Sequence, residues 1–156
     1  MPQRTAGFIA CIAWALSSIT LPLAAQNALL VRAGEKAAFK VLSIRDGLVN
    51  ASVSGLVQDP KGFIWMATQG GLARYDGLGF KSYTNEPFDE STISSDQLQT
   101  IFLDKDDTLW IGTYNGLDRL DPATDKIARY RYSAGDESSL SNDLIIAVAR
   151  DARGSL

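Results

Sequence analysis

The sequence contains no histidine and one cysteine, Cys11, in 156 residues. Histidine-based triads, histidine-ligated metals and intramolecular disulfides are thereby excluded. Positive charge is also scarce: 15 Lys+Arg stand against 18 Asp+Glu, a net charge of −3 with a pI near 4.9. Such a chain offers no electrostatic footprint to a nucleic-acid backbone, so nucleic acid is not expected as a partner. A phosphate-binding P-loop and a GxGxxG fingerprint are both missing, and no cofactor is expected. What remains, 46% hydrophobic and 21% charged, has the composition of a globular domain.

One long apolar run exists, from Phe8 to Leu23, interrupted by Ser17, Ser18 and Thr20. It falls short of the ~20 apolar residues that span a bilayer. Arg4 precedes it and Ala24-Ala25 follow it, so residues 1–25 read as a secretory signal peptide with a helical apolar region, cleaved after Ala25. A signal anchor or a buried helix is the competing reading. Cys11 lies near the beginning of the run, whereas a lipoprotein cysteine would stand at its end. The mature chain is then acidic, thiol-free, without a membrane span, and expected in the periplasm.

Internal repetition dominates the remainder. Asp59, Gly62, Ile64, Trp65, Thr68, Gly71, Leu72, Arg74 and Asp76 recur 45 residues later as Asp104, Asp107, Leu109, Trp110, Thr113, Gly116, Leu117, Arg119 and Asp121. Leu48, Val53 and Leu56 are answered by Ile93, Leu98 and Ile101. A third copy starts at a spacing of 47 with Leu140, Ile145, Val148, Asp151, Gly154 and Leu156. The segments Asp89 to Asp96 and Asp136 to Asp143 match at the same step, differing only by Thr/Ser, Ile/Leu and Ser/Asn.

Each copy divides into four short strands. Residues 52–58 lead into Asp59-Pro60-Lys61-Gly62, which has the residue order of a type I turn. Residues 63–68, 72–76 and 80–84 follow as strands, separated by Gly-rich turns and by no amphipathic helix. The expected fold is therefore all-β: β-propeller blades of four antiparallel strands, each burying its faces against neighbouring blades. Trp65 and Trp110 become inter-blade packing residues. Arg74 with Asp76, and Arg119 with Asp121, form a recurring turn and ion-pair feature.

The stretches Asp46-Gly47-Leu48-Val49-Asn50, Gln58 to Thr68, Gly71 to Gly77 and Leu109 to Leu117, with the Asp-Glu-Ser-Ser-Leu-Ser segment, closely resemble the two-component regulator propeller repeat. The likeness covers roughly residues 39–156. Met66-Ala67 departs from the family's usual Ile/Val-Gly, and Asp107 from its turn glycine. The resemblance implies a large periplasmic sensor region, commonly of fourteen blades in two propellers. A β-sandwich, a transmembrane helix and a cytoplasmic output domain, usually a histidine kinase and sometimes a diguanylate cyclase, would follow. No phosphoacceptor histidine is available here, so this chain is expected not to be an enzyme.

On this reading residues 1–25 are the signal peptide, 26–38 a linker and 39–156 a partial propeller with blade repeats at about 45–84, 85–130 and 131–156, the last incomplete. About two and a half blades cannot close, since propeller rings take about 4–8. Downstream blades of the same parent chain are the expected partners, and Phe39 to Ile44 the outermost strand of a closing blade. No catalytic group stands out, because Asp59, Asp104 and Asp151 occupy equivalent turns. Asp104-Lys105-Asp106-Asp107 lacks the glycine and distal glutamate of a calcium loop, so no metal is expected. Ligand contacts should come where copies differ, which selects Gln69, Tyr114 and Asn115 in the turns after the second strands as ligand-binding candidates, with a small molecule or saccharide as ligand. A secreted propeller enzyme acting on carbohydrate, and a non-catalytic adhesion or scaffold propeller, are the alternatives.

Overall fold

A computed structural model describes residues 39–156. The signal-peptide helix, its cleavage site and the 26–38 linker lie outside the described residues. Strands β1 (Val53–Gln58), β2 (Ile64–Thr68), β3 (Gly71–Tyr75) and β4 (Phe80–Tyr83) form one antiparallel sheet in sequence order. β5 (Leu98–Leu103), β6 (Leu109–Thr113), β7 (Gly116–Asp121) and β8 (Lys126–Tyr130) form a second of the same order. These are two propeller blades, and the strands of the first fall within about a residue of the expected 52–58, 63–68, 72–76 and 80–84. Among the described residues no helix is long and apolar enough to cross a membrane.

Each blade is organised by an aspartate. Asp59 accepts the amides of Lys61 and Phe63 on one carboxylate oxygen, at 2.9 and 3.0 Å, and the Trp65 indole N–H on the other at 2.9 Å. The Gly62 amide closes the turn on the Asp59 carbonyl at 2.9 Å, with Gly62 at φ 90°. Asp104 keeps the indole bond, from Trp110 at 3.2 Å, and the turn bond, from the Asp107 amide to its carbonyl at 3.1 Å. Its carboxylate, however, takes the adjacent Lys105 amide at 2.6 Å while the Thr108 amide goes to Asp106, and it also pairs with Arg150. Asp107 takes the place of the glycine at φ 64°, a left-handed conformation that aspartate tolerates better than most residues.

Register decides which faces meet. Val57, Trp65, Arg74 and Lys81 form one cross-strand row, and Gly55, Ala67, Leu72 and Tyr83 form another on the same face. Opposite them the second blade presents Leu103, Leu109, Leu120 and Ile127 together with Ile101 and Ile111. Trp65, Ala67, Leu72, Leu109, Ile111 and Leu120 are wholly buried in the shared core. The inner strands approach so closely that a Cβ on Gly55 would lie 3.2 Å from Ile101. A β-bulge in β5 between Leu98 and Thr100 leaves the Leu98 carbonyl to receive Ser54 Oγ at 2.8 Å and Gln69 Nε2 at 3.0 Å from the first blade.

Three expectations change. Arg74 does not pair with Asp76: its guanidinium lies over the rings of Phe63 and Trp65, at 4.6 and 5.5 Å, and Arg119 lies 5.9 Å from Trp110. The pleat puts each arginine directly across from the tryptophan, while Asp76 accepts the Leu78 and Gly79 amides at its own turn. Residues 39–43 carry no strand and run into a 3₁₀ turn, Ile44–Asp46, capped by Ser43. The third copy builds its turn, with Asp151 accepting the Arg153 and Ser155 amides at 2.8 and 2.9 Å, but residues 144–149 form no strand. Among the described residues no strand pairs with this segment, which therefore lacks the ladder that β1 and β5 share with β2 and β6.

The tryptophans consequently differ. Trp65 is fully buried against the second blade, whereas Trp110, on that blade's far face, is half-buried. Trp65→Ala should cost about 3–5 kcal/mol in urea unfolding, with Trp110→Ala costing clearly less. Equal losses, or a Trp65 loss under about 1 kcal/mol, would contradict the register.

Candidate functional site

The second strand of each blade ends in a threonine whose hydroxyl shapes the turn. Thr68 Oγ1 donates to the Gly71 carbonyl at 2.7 Å and accepts the Gly70 amide at 3.1 Å. Thr113 does the same with Gly116 and Asn115, at 3.0 and 2.9 Å. Gly71 and Gly116 stand at φ 121° and 119°, and a Cβ on Gly71 would lie 2.6 Å from the Tyr83 carbonyl oxygen. Glycine is required there.

These turns bring Gln69, Tyr114 and Asn115 to one edge of the blades, beside the chain that connects blade to blade. Gln69 donates to the Leu98 carbonyl, the Tyr114 amide to the Gln97 carbonyl at 3.2 Å, and Asn115 Nδ2 to the Ser94 carbonyl at 3.1 Å. The carboxamide nitrogens of Gln69 and Asn115 are thus engaged in holding the connection. The Tyr114 side chain is 51% exposed beside them.

The connection itself is a built element. In residues 85–96 the Asn85 amide donates to Asp96 at 2.7 Å, and Asp89 accepts the Ser91 amide and hydroxyl at 2.9 and 2.6 Å. Two residues on the following blade hold it, and neither was singled out by sequence reasoning. Asp118 accepts the Ser94 amide at 2.7 Å. Arg129, its cross-strand partner on β8, donates to the carbonyls of Asp89, Thr92 and Ile93 and to the Thr92 hydroxyl, all within 2.7 to 2.9 Å. A signal existed: Asp118 falls where the first copy has Ala73, a charge set into an otherwise apolar repeat position.

Asp118 is fully buried, and one of its carboxylate oxygens has no hydrogen-bond partner. Burial pushes its carboxyl above the ordinary range, against the opposing pull of the Ser94 hydrogen bonds and the fields of Arg129 and Arg131. The exposed Asp89 is shifted down instead, by the Ser91 hydroxyl and amide. The carboxamides of Gln69 and Asn115 and the exposed Tyr114 ring lie at this edge. Among the described residues no group of three or more acidic or thiol side chains could hold a metal ion.

Residues 47–70 and 92–115 each match the two-component regulator propeller family. Each matched span runs through the first strand and the aspartate turn to the turn that follows the second strand. Over 78 residues, 50% of the chain, the sequence is 38% identical to a protein named Histidine kinase P4 from Formosa agariphila, covering 5% of that protein. The fold superposes with a TM-score of 0.68 and 27% identity on the extracellular domain described as that of a hybrid two-component system from B. thetaiotaomicron. That superposition covers 74% of this chain and 16% of the other. The chain thus spans a small part of the length of the proteins it matches.

The raised Asp118 carboxyl carries a sign. Ionising it is harder in the folded state, so its contribution to stability declines as pH rises from the ordinary aspartate range through the raised folded value. Asp118→Asn keeps an acceptor for Ser94 and removes the charge, so its stability relative to the parent should improve between pH 4 and pH 7. Asp118→Ala strands a buried amide and should cost about 1–3 kcal/mol. Urea midpoints across that pH range give the answer, and a pH-independent difference for the Asn variant would contradict it.

Proposed function

We propose that this chain, which carries two-component regulator propeller repeats, is a non-catalytic input segment of an exported signal transducer, with a histidine kinase as the output of the full-length protein. The observation that carries this reading is the edge where the turns after β2 and β6 meet the connection between blades. The blade-building residues are accounted for by turns, indole hydrogen bonds and core packing, and they leave that edge free to vary. Tyr114 supplies an exposed ring, with Gln69 and Asn115 beside it fixed through their amide nitrogens. Aromatic faces stack on sugar rings through dispersion, and side-chain carboxamides match hydroxyls as donors and acceptors. A saccharide is accordingly the ligand class we assign to the edge.

Binding there acts on blade packing. Gln69 of the first blade holds Leu98, and Asn115 of the second holds Ser94, so a ligand spanning the two turns bears on the connection from both sides. A partner that favours one arrangement of this connection shifts its population, which is how an input segment passes occupancy onward.

The test is a thermal-shift titration of the chain with a panel of oligosaccharides released from plant and algal polysaccharides. At least one should raise the melting temperature by about 2 °C or more. Tyr114→Ala should abolish that rise without lowering the unliganded melting temperature. No response across the panel, or an unchanged response in the variant, would contradict the assignment.

A further inference from the structure

The connection between the two blades contains a strained residue whose ring stands in solvent. Glu86-Pro87-Phe88-Asp89 is a tight turn, closed by the Asp89 amide on the Glu86 carbonyl at 3.1 Å, with proline second and Phe88 third at φ 70°. A turn with positive φ at its third residue alone is of type II, and that position calls for glycine. The next connection makes the same turn and has the glycine. There the Asp136 amide closes on the Ser133 carbonyl, also at 3.1 Å, and the residue 47 positions after Phe88 is Gly135 at φ 87°. A Cβ on Gly135 would meet nothing within 4 Å, so glycine serves the backbone there and not a shortage of room. Left-handed backbone is exceptional for a bulky side chain. Phe88 adopts it and gains no burial in return, since its ring is fully exposed. Strain that packing does not repay points to a use outside the fold.

The turn lies on the edge that carries Tyr114. β4 leaves its sheet beside the turn after β2, where the Tyr83 carbonyl oxygen would lie 2.6 Å from a Cβ on Gly71. The connection it enters is held to the turn after β6 by the Asn115 bond to the Ser94 carbonyl and the Tyr114 amide bond to the Gln97 carbonyl. Phe88 precedes Ser94 by six residues, a reach of at most about 20 Å. One edge thus presents two exposed rings within reach of a single short oligosaccharide. Charge of both signs surrounds the turn and does not choose the ligand. Glu86, Asp89 and Glu90 flank the ring in sequence, while Arg129 holds the Asp89 carbonyl and lines a groove with Glu90 and Arg131. What this turn has and its repeat lacks is the phenyl ring.

We propose that Phe88 is a second stacking platform for the saccharide held at the Tyr114 edge, and that the two rings together select a ligand long enough to cover both. This rests on the saccharide assignment and adds to it the length of the ligand and the residue that reads that length. Stacking on a sugar face needs a rigid, solvent-facing ring, which a turn locked at positive φ supplies at low side-chain entropy.

Calorimetric titration of the chain with the saccharide panel, separated by length from disaccharides upward, is the test. Phe88→Gly should weaken binding of the longer members about threefold to tenfold, the effect of one aromatic stack, and that of the disaccharides less than about twofold. Phe88→Tyr should restore the longer ones. The Phe88 ring-proton NMR signals, identified by their loss in Phe88→Gly, should shift when a longer member is added. Without ligand, Phe88→Gly should not lower the melting temperature, because glycine suits the turn. A fall of more than about 2 °C would show a packed ring and overturn the proposal. So would unchanged affinity at every length, which would leave the ring to a protein partner, or equal weakening at every length, which would merge Phe88 with the Tyr114 contact. If no saccharide binds the parent chain, the edge assignment falls and this inference with it; binding that ignores Phe88 overturns this inference alone.

Discussion

A buried carboxylate that serves a turn and an indole together is the constraint on which these blades depend. Asp59 is 6% exposed and satisfies two turn amides with one oxygen and Trp65 with the other. The turn could be made by many sequences, and a tryptophan could be buried in many ways. Joined by one side chain, they fix where the first and second strands reverse and at which height the indole enters the core. Everything packed on Trp65 inherits that height: Tyr83 at 5.6 Å between ring centroids, Arg74 over the indole, and the apolar rows of the neighbouring blade. At Asp104 burial raises the carboxyl's proton affinity, but the Lys105 amide, the Trp110 indole and Arg150 outweigh it, and the group is held below its ordinary range.

Blades so built cannot bury both faces alone, and the second level of structure is the joint between them. Apolar rows supply non-directional attraction. Direction comes from polar groups at the loop edge, where Ser54 and Gln69 reach the carbonyl freed by the β5 bulge, and Arg129 and Asp118 grip the connection. On the outer rim, Asp125 receives both Lys81 and Tyr83 of the first blade at 2.6 Å, an exposed pair whose Coulomb energy water largely screens. The joint therefore owes its cohesion to the core and its register to the loop edge.

The repeats made most of this legible. Strand bounds, the type I turn and the burial of Trp65 follow from residue types that recur in order, and recurrence reports what every blade needs. What recurs less was harder to read. Arg74 and Asp76 are near in sequence and opposite in charge, yet the pleat sends the arginine across to Trp65, a cross-strand neighbour that sequence proximity hides. Asp118 and Arg129 act together only because β7 and β8 set them side by side, and Asp118 stands where the first repeat has alanine, so shared residues do not mark it. Phe39 to Ile44 had an extended pattern but no partner strand in the described residues, and extended sequence without a ladder does not make a strand. That Gln69, Tyr114 and Asn115 lie in the turns after the second strands was legible in the sequence. The engagement of two of them with the connection was not, since it depends on the bulge and on how closely the inner strands approach.

The two blades form one cooperative unit, held together by the shared core and kept in register at the loop edge. Native-state hydrogen exchange measures it directly. The Trp65 indole N–H, held inside the first blade, and the Ser94 amide, held by Asp118 of the second, should exchange with the same opening free energy and the same dependence on denaturant. A Ser94 amide that exchanges orders of magnitude faster than the Trp65 indole would show blades that open separately and would contradict the account.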